Sequence, residues 1–222
     1  MKNHLVIFPP LLLAWFVACE QHHEPNVYTG EGRQGNISAE VTQNVSRPGI
    51  NPSSGTDFEK ALVALRNNQP DQALYFLESG ITSFREETRN SQGDARQRAV
   101  QTAQTLDQLK SQLQAGTVKS SAAFKEQFLR AELLTAYHYL ILSRNYRAEH
   151  HLNSPIIQLK ATISALRQAA QFGDAMFKGN AEPYIRETDA LIKGLEQGEP
   201  LRRQQINVQN DSLICFLERV TR

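Results

Sequence analysis

From position 56 onward the apolar residues recur at helical intervals. Phe58, Ala61, Leu62 and Leu65 form one stripe that stops at Asn67-Asn68. Thr56-Asp57-Phe58-Glu59 has the form of a capping box, in which the Thr side chain accepts from the third helical N–H and the Glu reaches back. This places the first helix start at 57. Pro70 suits the first turn of a second helix, where a missing N–H costs nothing. Ala73, Leu74, Leu77, Ile81 and Phe84 then follow at spacings of one, three, four and three, which is a single buried stripe.

A third helix is expected after Gly93-Asp94, with Ala99, Leu106, Leu109 and Leu113, ending at Gly116. A fourth runs from about Ser121 to Leu152. Its middle, Leu133 to Leu142, is apolar nearly all round and belongs at the centre of an assembly of helices. Pro155 restarts the chain into a fifth helix with Ile156, Leu159, Ile163 and Leu166. A sixth is expected from near Pro183 to Gly198, carrying Ile185, Leu191, Ile192 and Leu195, and a last one contributes Leu213, Phe216, Leu217 and Val220. No strand-like alternation follows residue 56. The expected fold is all-α: a helical bundle or short α-solenoid of about six to seven helices behind a disordered N-terminal tether.

Three internal echoes suggest a duplication of 57–116 in 137–198. Gly93-Asp94-Ala95 returns as Gly173-Asp174-Ala175; Asp107, Leu109, Leu113 and Gly116 return as Asp189, Leu191, Leu195 and Gly198. Leu77, Ile81 and Phe84 are echoed by Leu159, Ile163 and Leu166. The alternative stays open, because helical proteins reuse Leu and Gly at similar spacings and the alignment needs small gaps.

The region before the helices differs in kind. Residues 19–56 hold Gly30, Gly32, Gly35, Gly49, Gly55, Pro25, Pro48 and Pro52 among Asn, Ser and Thr, with no surviving period. A flexible chain of that length spans roughly 35 Å. A minority reading makes Ile37 to Val45 a strand. Upstream, Lys2 precedes Leu5 to Ala18, which carries no charge and is shorter than the roughly 20 residues a membrane span needs. Phe16-Val17-Ala18-Cys19 resembles the lipobox of bacterial lipoproteins, with Phe where Leu or Val is commoner and with Pro9-Pro10 inside the apolar stretch. The resemblance implies a signal peptide over 1–18, cleavage after Ala18 and a diacylglycerol lipid with further acylation on Cys19. Several acyl chains would anchor the chain to a membrane stably.

The stretch Asn68 to Ile81 resembles the second half of a tetratricopeptide repeat. Ala73, Leu77 and Gly80 occupy that family's small, large and small positions, and Ala61 stands where its first helix has Gly. Asp57, Lys60, Ala64 and Arg85 replace the usual Trp, Leu, Tyr and Pro. Over residues 57–88 the resemblance implies a hairpin stack offering a groove to a protein partner, with Ala73, Leu77 and Gly80 as the candidate partner-binding face.

Charge and chemistry narrow the function further. Loss of 1–18 removes one cation, Lys2, so the 24 Lys and Arg against 23 Asp and Glu become equal numbers. That balance argues against nucleic acid as a partner. With Cys19 lipidated only Cys215 remains, so no internal disulfide is available. Cys215 reads as a buried small hydrophobe, or as the site of an intermolecular bridge.

His22-His23, between Glu20 and Glu24, sits in the tether, where ligands are not preorganised. Glu149-His150-His151 places adjacent histidines about 100° apart on a helix. Neither supports a metal site. His138, in Tyr137-His138-Tyr139, reads as a core histidine satisfied by neighbours, or as a proton-transfer group if it meets a carboxylate such as Glu132 or Glu149. No nucleophile elbow, phosphate loop or metal-ligand spacing accompanies it, so no catalytic residue, metal or cofactor is assigned. The expectation is a membrane-anchored adaptor or scaffold of the bacterial cell envelope, at the outer membrane and facing the periplasm, bound to an envelope protein. A ligand-binding or stress-response helical bundle is the second reading, and an enzyme the third.

Overall fold

The computed structural model describes residues 52–118, 120–146, 153–197 and 203–221. Among these residues all regular structure is helical: α1 (Ser54–Arg66), α2 (Pro70–Glu87), α3 (Gly93–Gln114), α4 (Ser121–Tyr146), α5 (Asn153–Phe172), α6 (Ala175–Glu196) and α7 (Arg203–Thr221). The lipobox-like segment with Cys19, the tether up to Asn51, the strand alternative over 37–45 and the Glu149-His150-His151 group lie outside the described residues. No described helix is long and apolar enough to cross a membrane.

Local chemistry sets most of the boundaries. Asn68 ends α1 with φ 56°, a left-handed conformation that Asn tolerates better than most side chains. Its N–H bonds the Leu65 carbonyl (3.2 Å) while Gln69 N–H reaches Ala64 (2.9 Å), the Schellman pattern. Gly116 (φ 64°) repeats this after α3, with its own N–H on Leu113 and Thr117 N–H on Gln112. Pro70 takes the first turn of α2 as its fixed φ favours.

Two starts differ from the sequence-based expectation. The first helix begins at Ser54, so Thr56 is already helical and the Thr56/Glu59 capping box does not form; the helical region thus starts ahead of residue 57. The sixth helix begins at Ala175, eight residues before Pro183, because Asp174 caps it by accepting the Phe177 N–H at 2.7 Å. Pro183 lies inside α6. The carbonyl its ring would crowd belongs to Gly179, one turn earlier.

Two apolar cores lie along α4. Phe124, Phe128, Ala131 and Leu134 join α1, α2 and α3 in the first, while Leu133, Ala136 and Leu140 join α5, α6 and α7 in the second. Hence α4 is buried almost continuously from Ala131 to Leu140, as its all-round apolar sequence requires. The centre of the first core is aromatic. Phe58 stacks on Phe128 with ring centroids 4.3 Å apart, and Phe172 meets Phe128 edge-on at 5.5 Å.

The two cores are built from equivalent positions at a constant displacement of 82 residues (77 to 159, 85 to 167, 107 to 189). Leu77, Ile81 and Phe84 of α2 and Leu159, Ile163 and Leu166 of α5 are all fully buried. Arg85–Asp107 joins α2 to α3, and Arg167–Asp189 joins α5 to α6. The helix starts of α3 and α6 (93 and 175), and of α4 and α7 (121 and 203), obey the same shift.

Candidate functional site

The residues singled out on the second helix do not form a surface. Ala73 and Leu77 have no exposure, and Gly80 is buried against α1. A Cβ added at Gly80 would stand 2.6 Å from Cδ1 and Cε1 of Phe58. These three positions close the α1–α2 hairpin by allowing its helices to approach, which corrects their assignment as a partner-binding face.

What the hairpin does present lies along its flank. Glu59, Lys60, Val63, Ala64, Gln69, Gln72 and Phe76 line an open groove of about 330 Å³. Val63 is 46 % exposed, and Tyr75 on the neighbouring turn is 71 % exposed. The Tyr75 and Phe76 rings meet edge to face at 5.3 Å, and the Lys60 ammonium lies 5.4 Å from the centre of the Phe76 ring. An aromatic and aliphatic surface with a charged rim is thus held on two rigid helices. The same helical period that buries Ala73, Leu77 and Gly80 turns Tyr75 outward and leaves Phe76 half-buried at the edge of the first core.

Beneath the hairpin sits a buried polar group. Glu87 at the end of α2 receives the backbone N–H of Ser53 (2.7 Å) and of Ser54 (3.2 Å) on Oε1, and the Ser54 hydroxyl lies 2.6 Å from Oε2. The Glu87 carboxylate therefore caps α1 from 33 residues away. The same hydroxyl lies 2.7 Å from Oε1 of Glu132, whose side chain is fully buried on α4 and whose Oε2 has no partner. Desolvation holds the Glu132 carboxyl well above the usual carboxylate range, and the nearby Glu87 charge adds to the shift. Burial raises Glu87 as well, against the opposing effect of its hydrogen bonds. The Tyr139 hydroxyl is raised by burial and by both carboxylates.

His138 is buried and its Nδ1 lies 3.0 Å from the Ser91 hydroxyl. Burial lowers the imidazole to about 4, so it is neutral near pH 7. Among the described residues no carboxylate is hydrogen-bonded to the ring, and Glu132 meets Ser54 and Glu87 instead. Tyr137 points to α7, with its hydroxyl 3.5 Å from Glu218. Cys215 is half-buried on α7. Among the described residues no three His, Cys, Asp or Glu side chains gather as a metal site.

Two further surface grooves are described. Arg98, Gln101, Thr102, Thr105, Gln127, Arg130, Leu134 and Thr221 enclose about 290 Å³ between α3, α4 and α7. The other, of about 400 Å³, lies at the α1–α2 and α3–α4 turns around Leu65 and Leu113. None of the three grooves includes Tyr137, His138 or Tyr139. No protein-family model, curated protein or solved structure matches this chain.

Proposed function

We propose that the chain is a lipid-anchored helical adaptor of the bacterial cell envelope, which binds an envelope protein through the flank of its α1–α2 hairpin. The observation that carries this reading is the groove between Lys60, Val63 and Phe76, with Tyr75 exposed at its side. Large aromatic side chains on a rigid surface are the residue type that dominates protein–protein affinity. Val63 and Tyr75 are exposed, while Phe76 is half-buried against the first core and forms the floor that ties the groove to the packed hairpin.

The anchor part of the reading rests on the lipobox-like Phe16-Val17-Ala18-Cys19. The tether would let the helical domain search for its partner over some tens of ångströms from the membrane. The constant 82-residue shift between the cores supports an origin by duplication of one helical unit. In that view the aromatic pair at the groove belongs to the first unit alone, because Tyr75 and Phe76 correspond to Ile157 and Gln158.

Two measurements test the proposal together. Labelled palmitate should be incorporated into the wild-type chain and lost in Cys19→Ser. Affinity capture from detergent-solubilised envelopes should recover a defined protein that Val63→Glu and Phe76→Glu release. Continued acylation of Cys19→Ser, or capture unchanged by both charge substitutions, would overturn the corresponding part.

A further inference from the structure

We propose that Ser54, Glu87 and Glu132 form a proton-gated latch on the first turn of α1, with Glu132 as the resident protonated acid at neutral pH. The Ser54 hydroxyl lies 2.6 Å from Glu87 Oε2 and 2.7 Å from Glu132 Oε1, yet it carries one hydrogen. It can donate to one carboxyl only. The second short contact is a hydrogen bond only if the other carboxyl brings its own proton.

Geometry decides which acid that is. Glu87 accepts two backbone N–H bonds at the positive end of α1, an arrangement that favours the ionised form. Glu132 has no such donors, no exposure and one oxygen without a partner. The chain of donation therefore runs from the Glu132 carboxyl to Ser54, and from Ser54 to Glu87. Both partners of the Ser54 oxygen are then satisfied, and only one negative charge is buried.

Among the described residues no cation is placed to hold a second charge. On α1, Asp57 is engaged by Lys60 and Ser79. On α5, the neutral Gln168 packs against the same turn, reaching Thr56 Oγ1 at 3.3 Å, while Lys160 and Arg167 pair outward with Glu196 and Asp189. On α4, Tyr139 faces both carboxyl groups. From α3 and α7, Arg98 and Glu218 act on Tyr137.

The fold itself does not demand this polar group. A shift of 82 residues carries Ser54, Glu87 and Glu132 to Ala136, Ala169 and Ile214, which belong to one apolar core cluster in the second unit. Apolar filling of such a site is commonly as stable as a buried charged group, so the first unit keeps a device that its counterpart lacks. It lies where residues 1–51 join the helical domain, a position suited to controlling how firmly α1 begins.

The folded state holds the Glu132 proton more tightly than the unfolded chain does. The site's contribution is therefore complete below the ordinary carboxylate range, and it declines as pH rises towards the elevated folded value. Ionising Glu132 would place a second charge beside Glu87, and the least costly response is release of the Ser53–Ser54 turn.

The test is amide hydrogen exchange of the full chain at the Ser53, Ser54 and Asp57 N–H groups, corrected for intrinsic rate. In the wild type, protection should fall at least about tenfold as pH is raised from the ordinary carboxylate range towards the elevated value at which Glu132 ionises. In Glu132→Gln, whose amide can donate to Ser54 without titrating, protection should stay flat. The same loss of protection with rising pH in Glu132→Gln would overturn the latch. Infrared spectroscopy of the wild type with isotope-labelled glutamate needs no variant. A protonated-carboxyl carbonyl band at neutral pH is expected, and its absence would equally overturn the proposal.

Discussion

Gly80→Ala isolates the contact on which the first hairpin depends. Two effects of opposite sign meet at this position. Alanine is the better helix former by about 1 kcal/mol, so an uncrowded site would gain stability. Here the new Cβ would stand 2.6 Å from two carbons of Phe58, a distance that normal packing does not allow. The ring cannot swing aside cheaply, because it has no exposure and is stacked on Phe128 at 4.3 Å. Phe128 is in turn held by Phe124 and Phe172. Overpacking of a filled core costs about 1–3 kcal/mol. We therefore expect a net loss of up to about 2 kcal/mol, read as a lower denaturation midpoint in urea at unchanged slope.

Gly179→Ala is the internal control. Nothing lies within 4 Å of its added Cβ on α6, so it should gain up to about 1 kcal/mol. Combining Gly80→Ala with Phe58→Leu should cost less than the sum of the single changes, since the smaller side chain makes room. A gain in stability from Gly80→Ala matching that of Gly179→Ala, or strict additivity in the double variant, would refute the account of this contact.

Other expectations follow from single observations. Asp174→Ala should cost about 1 kcal/mol by removing the cap on the Phe177 N–H, with local exchange rising at the start of α6; unchanged exchange there would contradict the cap. Neutral His138 gives stability that is complete above its unfolded value of 6.5 and lost as pH falls towards about 4. The loss reaches about 3 kcal/mol at the acid end, so His138→Gln should flatten the pH dependence of unfolding in that window, and an unaltered slope would count against a buried neutral ring. Arg85→Ala and Arg167→Ala break equivalent exposed ion pairs. Each should cost only about 0.2–1 kcal/mol in thermal or chemical unfolding.

Helix order and most helix ends are local information, and they were legible in the chain. Asn68 and Gly116 take the left-handed conformations that stop α1 and α3, and the all-round apolar stretch of α4 becomes the wall shared by both cores. What was not legible depends on partners distant in sequence. Thr56 and Glu59 carry a capping motif, but Glu87 supplies the cap from the far end of α2 and draws the helix start back to Ser54. Pro183 resembles a helix start because its ring disfavours an interior, yet Asp174 nucleates the helix earlier.

The same limit applies to the site. Ala73, Leu77 and Gly80 were recognised as small and large packing positions, but a single sequence does not say which face of the hairpin a partner would see. Their burial leaves Val63 and Tyr75 as the presented residues, with Phe76 half-buried beside them. Glu132 gave a faint signal, as an acid bordering the apolar run that begins at Leu133. Its meeting with Ser54 and Glu87 joins positions from three helices, and no spacing rule brings them together.

The adaptor reading is tested most directly by site-specific photocrosslinking in intact cells, with the probe placed at Tyr75 and, for comparison, at Met176. Both side chains are more than 70 % exposed, but only Tyr75 adjoins the Val63–Phe76 groove. A discrete envelope protein crosslinked from position 75, absent from position 176 and lost with Val63→Glu, is the predicted result. The same pattern from both positions, or no adduct from position 75 in the acylated and folded protein, would contradict it.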